Sequence, residues 1–473
     1  MAEVLSLFGS RMQMDESIRL SLESLAAYIP LHDTLCVAWS GGKDSTATLT
    51  FLAWAIESGR VPRPKRMIVL YADTRLELLP LVESASRMRE DLEDRGWEVR
   101  TVMAPMDHRF LVYMLGRGVP PPSNSFRWCT PRLKIEPMKA EVDRLRLESE
   151  LGSVLMITGV REGESAARDG RIHAACSKDG AECGQGWYQT EMEGRAATLA
   201  PLLHWRVCHV WAWLRNWAPL PEFGEWDSEL LADAYGGDEA EEINARTGCV
   251  GCNLASRDTA LLNVLRLPKW AYLRPLLQLK ALWAELKKPS RRLRKATAEV
   301  RKDGGFSKNP QRMGPLTFDA RLWGLGEILR IQEEVNVEAR RLGRPLLDLL
   351  NQEEEARIRE LVDSGIWPDN WAGTEPRADS VMAGITIGHN EAGEEILVEQ
   401  QLIWRAPALR RAYPVSYHPR PARLDPWRSQ MGVLSDGEIS RRSGVCRSVV
   451  REMRRRMRIP AARVHSGCGV DNG

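Results

Sequence analysis

The stretch Thr34-Leu-Cys-Val-Ala-Trp-Ser-Gly-Gly-Lys-Asp-Ser-Thr46 joins a short apolar run to a glycine-rich turn. The run from Thr34 to Trp39 fits a buried strand, and apolar residues then recur at helical spacing until Gly59 ends the pattern. The sequence therefore predicts a strand, a Gly-rich loop and a helix in direct succession. The residues that set the helical spacing are Ala47, Leu49, Leu52, Ala53 and Ile56.

Further strands and helices alternate after this unit. Strands are predicted at Met67–Tyr71, near Trp97–Met103 and at Val154–Gly159, with a helix around Leu76–Arg95. Such alternation is typical of the α/β class and predicts a doubly wound parallel sheet. Ligands of these sheets bind at the carboxyl ends of the strands. The Gly-rich loop after the first strand is therefore a candidate binding site.

The loop has the chemistry of a phosphate cradle. Two glycines let backbone N–H groups approach an anion closely, and the helix that follows adds the positive end of its dipole. Lys43 and Ser45 can donate further hydrogen bonds. The spacing differs from the Walker A pattern, which has four residues between its first Gly and a Gly-Lys-[Ser/Thr] end. The alternative is a Gly-rich turn followed by a Ser/Asp helix cap.

This loop, placed at the end of the first strand, resembles the PP-loop of the ATP pyrophosphatase superfamily. That superfamily cleaves ATP between the α and β phosphates and adenylates a substrate oxygen. The resemblance implies that Lys43 stabilises the pyrophosphate charge and that Asp44 assists with Mg²⁺ or loop geometry. Asp73, in Tyr71-Ala-Asp-Thr74, resembles the next catalytic element of the superfamily, although an ordinary Asp turn after a strand is the alternative. The residues implied to hold the pyrophosphate are Ser40, Gly41, Gly42, Ser45 and Thr46.

Nine cysteines, an odd number spread over a long chain, favour reduced thiols or metal ligands over a secreted disulfide framework. Cys249-Val-Gly-Cys252 is a CxxC pair, which places two thiolates within reach of one metal. Zinc, a redox disulfide and two incidental cysteines are alternatives for this pair. Cys129 lies in a basic segment, Phe126–Lys134, whose Arg and Lys side chains lower thiol pKa values.

The segment around Cys129 resembles the cysteine, basic and proline pattern of the phosphoadenosine phosphosulfate (PAPS) reductase branch of the superfamily. Cluster-binding members of that branch pair such a segment with a downstream CxxC. The resemblance implies that Cys129, Cys249 and Cys252 ligate an iron–sulfur cluster of the 4Fe-4S type. A closed cluster uses four ligands. Either Cys176 or Cys183 supplies the fourth, or one iron stays open to hold sulfide.

Three later stretches resemble the same branch. Gly159–Arg168 resembles its Arg/Ser nucleotide or substrate loop, which implies a catalytic role for Arg161 and nucleotide binding by Arg168. Pro201–Leu214 resembles its strand-to-helix segment with a proline, a tryptophan and then Val-Trp. Gly314–Arg321 and the acidic helix at Glu353–Val362 resemble the DndC family, the sulfur-insertion component of DNA phosphorothioation.

The resemblance and the composition together predict three domains. Residues 15–270 are predicted to form a PP-loop ATP pyrophosphatase or PAPS reductase-like domain with the adenine nucleotide alpha hydrolase-like fold. Residues 271–373 are predicted to be a helical extension. Residues 374–473 are predicted to be an irregular linker plus a basic helix-turn-helix-like segment at about 432–463.

The basic segment near the end of the chain points to a nucleic-acid partner. Residues 428–463 hold ten Arg and three acids, and Gly444 lies where a helix-turn-helix needs its turn. An Arg-rich second helix suits phosphate contacts, although a basic hairpin that binds protein or RNA is the alternative. The apolar residues predicted to pack the two helices are Ile439, Val445, Val449 and Met453.

The chain as a whole is nearly neutral, with 66 Lys and Arg against 64 Asp and Glu, and 43% of its residues are hydrophobic. This composition excludes general disorder. The sequence has no apolar run of the roughly 18 residues that a membrane span needs, and its first residues do not form a secretory signal. We expect a cytoplasmic protein without a membrane partner.

These observations predict an ATP-dependent sulfurtransferase that adenylates a nucleic-acid phosphate oxygen and replaces it with sulfur, as in DndC-like DNA phosphorothioation. Its expected cofactors are ATP, Mg²⁺ and the 4Fe-4S cluster. Its expected partners are DNA as substrate, a cysteine desulfurase as sulfur donor, and other phosphorothioation or defence-system proteins. One alternative is a PAPS (sulfonucleotide) reductase. Another is a nucleotide-binding DNA-associated regulator.

Overall fold

A computed structural model of the protein gives a chain that divides into two compact units. Unit 1 comprises Met1–Pro105, Arg127–Leu277 and Val335–Leu347, and unit 2 comprises the remainder. The residues that the structure describes are 14–148, 153–163, 187–192, 196–237, 240, 248–295, 312–382, 385–389, 395–399, 403–404, 425–431, 433–443, 450–451, 453–454, 457 and 459.

Unit 1 is built on a six-stranded sheet in the order β3-β2-β1-β4-β6-β5. Its first five strands in that order are parallel, and β5 pairs with β6 in the antiparallel direction at the edge. The predicted doubly wound parallel sheet is therefore confirmed, with an antiparallel edge strand that the sequence did not indicate. The strands are β1 Thr34–Trp39, β2 Arg66–Asp73, β3 Glu98–Met103, β4 Val154–Ile157, β5 Trp187–Met192 and β6 Ala196–Ala200.

Helices flank this sheet. The interior of the sheet is apolar, with Cys36, Ile68 and Leu70 fully buried among residues of β3, β4 and the helix Glu136–Leu147. Burial of such surface is worth about 25 cal/mol per Å². The helices of unit 1 are α1 Met14–Tyr28, α2 Lys43–Glu57, α3 Leu79–Asp94, α4 Glu136–Leu147, α5 Val207–Ala212, α6 Glu229–Asp233 and α7 Thr259–Val264.

Helix α2 lies in the middle of unit 1 and is buried on almost all of its surface. Its buried polar side chains find partners: the Thr50 hydroxyl donates to Thr46 O and accepts from the indole N–H of Trp213 at 2.9 Å. Trp205 and Trp213 pack edge-on against Phe51, with ring centroids 5.4 and 5.1 Å apart. The segment after β6 therefore packs against α2, whose first turn forms the end of the Gly-rich loop.

Unit 2 is mainly helical over its described residues up to 380, which agrees with the predicted helical segment. Arg321 is fully buried there and donates hydrogen bonds to the carbonyl oxygens of Leu316, Gly116 and Ile366. Its guanidinium also lies 4.1 Å from the ring of Trp367. The helices α8 Gln278–Leu286 and α10 Gln352–Asp363 lie in this unit, and α9 is Phe318–Leu342, of which the residues up to Glu334 belong to unit 2.

The described residues after 380 include short strands and an α-helix. The described parts form two antiparallel strand pairs and a helix, α11, at Asp436–Ser443. Ile439 of α11 and Val450 are both fully buried in a small apolar cluster. Gly444, Val445 and Val449 of the predicted helix-turn-helix lie outside the described residues. The strands are β7 Val381–Met382, β8 Ile385–His389, β9 Glu395–Glu399 and β10 Ile403–Trp404.

Arg454, which was expected among the phosphate-contacting arginines, is 7% exposed and forms an ion pair with Asp436 at 2.8 Å. Its guanidinium also donates to Ile459 O. This arginine therefore stabilises the small apolar cluster of the C-terminal segment. Among the described residues, no helix combines the length and apolar character that crossing a membrane requires.

Candidate functional site

The Gly-rich loop connects the carboxyl end of β1 directly to the first turn of α2. Gly41 has φ +71°, a left-handed conformation that glycine adopts without a steric cost. Ser45 donates to Gly42 O at 3.0 Å and accepts from the Ser40 N–H at 3.3 Å. These bonds close the loop around the N-terminus of the helix, where the unpaired N–H groups and the dipole attract anions.

The loop is also supported from the end of β4. A Cβ atom on Gly159 would lie 2.8 Å from both the backbone N and the Cα of Ser45, closer than such atoms approach. Only a glycine fits at this position. The first residue of the predicted Arg/Ser loop is therefore packed against the phosphate loop.

Asp44 is held by two cations. Its carboxylate accepts from Lys43 Nζ at 3.0 Å and from Arg161 Nε at 2.6 Å. Arg161 is 3% exposed, and its Nη1 donates to Trp205 O at 3.0 Å. A charge-assisted bond of this kind is about twice as strong as a neutral one. Arg161, predicted to be catalytic, thus orients Asp44 in this structure.

The residues predicted to hold pyrophosphate do not all face the loop. Ser40 is exposed and Ser45 lines the loop, whereas Thr46 is 1% exposed and accepts a hydrogen bond from Trp39 Nε1 at 2.9 Å. The Thr46 N–H donates to Gly42 O. Thr46 therefore packs the base of the loop, because both its hydroxyl and its N–H are engaged within the fold.

Asp73 lies at the carboxyl end of β2, at the same edge of the sheet as the loop. Its Oδ1 accepts from the Arg75 N–H at 2.7 Å, and Arg75 has φ +64°. The side chain of Glu77 stabilises the same turn, accepting from the Thr74 hydroxyl at 2.5 Å and from the Leu76 N–H at 3.2 Å. Asp73 thus forms the Asx turn named as its alternative role. No sequence pattern predicted that Glu77 would take part in this turn.

The CxxC turn is attached to this same turn. The Val250 N–H donates to Leu76 O at 2.7 Å, a backbone bond that joins the turn to the end of β2. Gly251 has φ +64°, and its N–H donates to Asp258, which also caps α7. The cysteines of the pair therefore lie at the carboxyl edge of the sheet. The CxxC spacing alone does not predict this position.

Burial raises the thiol pKa of two of the three predicted cluster cysteines, Cys249 and Cys129. Burial raises the pKa of the Cys249 thiol to about 11, although its neighbour Lys134 and a hydrogen bond from Thr74 favour the thiolate. Burial also raises the pKa of Cys129, and the charge of Cys252 acts in the same direction. Thiolates are the ligands of iron–sulfur clusters, so the chemistry of these donors suits such a cluster. A bound metal would favour the thiolates that burial disfavours.

The geometry of a closed metal site is not present in the part of the chain that the structure describes. There, no group of three or more His, Cys, Asp or Glu side chains is arranged to hold a metal ion. Cys176 and Cys183, the candidates for a fourth ligand, lie outside the described residues, as does Arg168.

One residue of the loop region has no counterpart in the sequence patterns. The hydroxyl of Tyr235, immediately after α6, accepts a hydrogen bond from the Lys43 N–H at 3.0 Å. Tyr235 is 2% exposed, and Lys43 Nζ lies 5.1 Å from the centre of its ring. The two residues are 192 positions apart, so no local pattern could have paired them.

Comparison with known families gives a match over this site. Residues 34–218 match the family described as the phosphoadenosine phosphosulfate reductase domain. The matched residues carry the phosphate loop, Asp73, Cys129 and Arg161, and they end before Tyr235 and the CxxC pair.

A curated relative from Methanocaldococcus jannaschii, an uncharacterized protein, is 29% identical over 195 residues. The match covers 41% of this chain and about a third, 34%, of the length of that relative. Two solved structures also match at 14% identity and a TM-score of 0.27. They are the FMN adenylyltransferase of Candida glabrata and the U34-tRNA thiolase NcsA of Methanococcus maripaludis with its 4Fe-4S cluster. They cover 43% and 58% of this chain, and 57% and 82% of their own.

Proposed function

We propose that the protein is an ATP-dependent sulfurtransferase that adenylates a nucleic-acid phosphate oxygen and replaces it with sulfur, of the DndC-like DNA phosphorothioation type. The observation that carries this proposal is the position of two groups at one edge of the sheet. The Gly-rich loop follows β1, and the Val250 N–H, between Cys249 and Cys252, donates to Leu76 O in the turn after the neighbouring strand β2. ATP activation and sulfur delivery are the two chemistries these groups support.

The loop performs the activation half of the reaction. A phosphate oxygen of the acceptor attacks the α phosphate of ATP, the bond to the β phosphate breaks, and pyrophosphate leaves. The loop N–H groups and Lys43 stabilise the charge that develops on the departing pyrophosphate. Asp44 keeps Lys43 in place. We propose that Asp44 and Asp73 bind Mg²⁺, which neutralises phosphate charge. The residues proposed to contact the pyrophosphate are Ser40, Gly41, Gly42 and Ser45.

The second half of the reaction is a displacement at phosphorus. A sulfur nucleophile attacks the adenylated phosphate, the P–O bond to the adenylate breaks, and AMP leaves with the original oxygen. Activation is needed because an unactivated phosphodiester oxygen is a poor leaving group. We propose Cys129, Cys249 and Cys252 as ligands of a 4Fe-4S cluster, completed by Cys176 or Cys183 or open at one iron. When bound, such a cluster would supply a site for sulfide.

The acceptor and the partners follow from the remaining features. The segment 428–463 carries ten Arg against three acids, which suits DNA as the acceptor. We propose a separate cysteine desulfurase as the sulfur donor. Other phosphorothioation or defence-system proteins would complete the system.

The family match favours a second candidate, a sulfonucleotide reductase, because residues 34–218 match the PAPS reductase domain. In that case the loop would bind the sulfonucleotide, and the reaction would consume a thiol reductant without cleaving ATP. Reduction of PAPS in the presence of thioredoxin, with no pyrophosphate formed from ATP, would establish this candidate in place of the transferase.

The deciding experiment measures AMP and pyrophosphate release from ATP by anaerobically purified protein with DNA and sulfide, followed by nuclease digestion and detection of phosphorothioate linkages. Lys43→Ala and Asp44→Asn are expected to abolish both products. Lys65→Ala is the matched control, because Lys65 is exposed just before β2 and forms an ion pair with Asp33. The proposal would be contradicted if wild type released AMP and pyrophosphate equally without DNA, or if Lys43→Ala formed as much product as wild type.

A further inference from the structure

Tyr235 occupies the place where the phosphate loop would receive its ligand. The Lys43 N–H is the first helical N–H of α2, and Gly42, the N-cap residue, has no side chain to accept from the helix. The Tyr235 oxygen accepts from this N–H at 3.0 Å. A phosphate oxygen in the loop would need the same donor, because the leading N–H groups of the helix form the cradle.

The ring of the same tyrosine also contacts the side chain of Lys43. The ring lies 5.1 Å from Lys43 Nζ, a cation–π distance, so the lysine is directed toward an aromatic face as well as toward Asp44. A Cβ on Gly42 would lie 3.5 Å from the hydroxyl, which shows how closely the phenol approaches the loop backbone. Both donors that would bind pyrophosphate are therefore engaged by one side chain.

The fold holds this tyrosine in place without burying it in the sheet. Trp211 of α5 is fully buried and meets the Tyr235 ring edge-on, at 5.1 Å between centroids. The chain then turns sharply through Gly236 and Gly237, with φ values of +112° and +70°. Because glycine adopts positive φ values without a steric cost, the backbone can turn away from the loop directly after Tyr235.

We propose that Tyr235 is a displaceable cap of the phosphate loop. Its hydroxyl satisfies the Lys43 N–H while the loop is empty, and a pyrophosphate group of the nucleotide takes over that N–H and displaces it. This inference deepens the proposed function and rests on the loop being a pyrophosphate site. It concerns nucleotide binding alone, and it holds whether the protein is a sulfurtransferase or a sulfonucleotide reductase.

The cap predicts a specific coupling between stability and binding. Tyr235→Phe removes the hydroxyl but keeps the ring against Trp211, leaving the Lys43 N–H buried and unpaired in the empty protein. The empty variant loses stability, whereas the pyrophosphate-bound variant does not, because the ligand then satisfies the N–H. Pyrophosphate should therefore bind about three- to tenfold more tightly to Tyr235→Phe than to wild type, the equivalent of one neutral hydrogen bond.

The test is titration calorimetry of the full chain with inorganic pyrophosphate, together with thermal unfolding with and without saturating pyrophosphate. The matched control is Tyr272→Phe, which removes a hydroxyl that donates to Pro345 O at 3.0 Å, away from the loop. This control is expected to lower the unfolding midpoint equally with and without ligand, and to leave the pyrophosphate affinity unchanged.

The outcomes separate this inference from the proposed function. The cap is supported if pyrophosphate binds more tightly to Tyr235→Phe than to wild type, and if the lower unfolding midpoint of the variant returns to the wild-type value at saturating pyrophosphate. Equal affinity overturns it, and weaker binding shows instead that the hydroxyl is a ligand of the nucleotide. Absence of pyrophosphate binding in every protein, wild type included, overturns the phosphate-loop assignment and the cap together. Normal binding with no sulfur transfer to DNA removes the transferase proposal and leaves the cap intact.

Discussion

Trp39 Nε1 donates a hydrogen bond to Thr46 Oγ1 at 2.9 Å and so joins the last residue of β1 to the first turn of α2. The bond spans the base of the Gly-rich loop, and both side chains are almost fully buried. The loop is thereby closed by a side-chain bond beneath it as well as by the Ser45 hydroxyl within it.

Thr46→Val keeps the shape of the side chain but removes the acceptor. The buried indole N–H of Trp39 would then be unpaired, which costs about 1 to 3 kcal/mol. We expect a lower free energy of unfolding by that amount in urea denaturation, with weaker pyrophosphate binding. Thr48→Val is the control, since the Thr48 hydroxyl only donates to Asp44 O within the helix and its loss leaves no buried donor unpaired. An equal loss in both variants would contradict the role of the Trp39 bond.

Arg161→Met should impair turnover more than folding. The substitution leaves Asp44 with Lys43 as its single ion-pair partner, so the carboxylate and the lysine are no longer fixed. We expect kcat/KM for pyrophosphate release to fall by about 10- to 100-fold, the equivalent of one charge-assisted bond. The control is Arg95→Met, which breaks a pair with Glu57 away from the loop. Unchanged kcat/KM in Arg161→Met would show that Asp44 needs no second cation.

Substituting the cysteines tests the proposed cluster directly. Cys249→Ser and Cys252→Ser should abolish the iron and acid-labile sulfide of anaerobically purified protein, together with absorbance near 400 nm. Cys129→Ser should do the same. Cys208→Ser is the matched control, because Cys208 is exposed on α5 and is not among the proposed ligands. Zinc in place of iron in the wild type, or iron retained in all three variants, would contradict the assignment.

The ion-pair network at the N-terminal ends of the strands predicts a pH dependence. Arg100 and Arg66 hold the pKa of Glu148 well below its usual range, at about 2. A depressed carboxyl pKa contributes stability that is complete above about 4.5 and is lost as pH falls toward 2. The difference in unfolding free energy between wild type and Glu148→Gln should therefore be largest at pH 7 and shrink below pH 4.5.

This difference should be small, because the Glu148 side chain is 35% exposed and solvent screens such pairs. Urea midpoints at pH 7, 5 and 3.5 measure it. Asp143→Asn, on the helix that ends just before Glu148, serves as a comparison, since the charges that act on Glu148 are those of Arg100 and Arg66. A difference that grows as pH falls would contradict the sign.

Local patterns predicted the parts of the fold that local chemistry determines. The apolar run before Ser40 and the helical spacing after it are sufficient for β1, the loop and α2, and the alternation that follows is sufficient for the parallel sheet. The antiparallel pairing of β5 depends on its partner strand, so no period within Trp187–Met192 could reveal it. Tyr235 was missed for the same physical reason, because its partner Lys43 is distant in sequence.

The sequence predicted which side chains lie at the site better than it predicted the contacts that each of them makes. Lys43, Asp44 and Arg161 were all expected at the site, and the structure groups them, but the ion pair between Asp44 and Arg161 could not be read from their spacing. The convergence of Cys129 with the CxxC pair rested on a family resemblance and stays a prediction. Thr46 matched a motif position, but the hydrogen bond that its hydroxyl accepts from Trp39 could not be read from the motif.

The hydrogen bond from the Val250 N–H to Leu76 O has a genetic consequence. Because it joins main-chain atoms, nearly every missense change at either position leaves it in place, and a scan by alanine would pass over it. Proline at 250 is the one residue type that removes the donor. A Val250→Pro allele should therefore uncouple the cysteine turn from the sheet while sparing every side chain of both motifs, whereas a Val250→Ala allele loses buried methyl groups but keeps the bond.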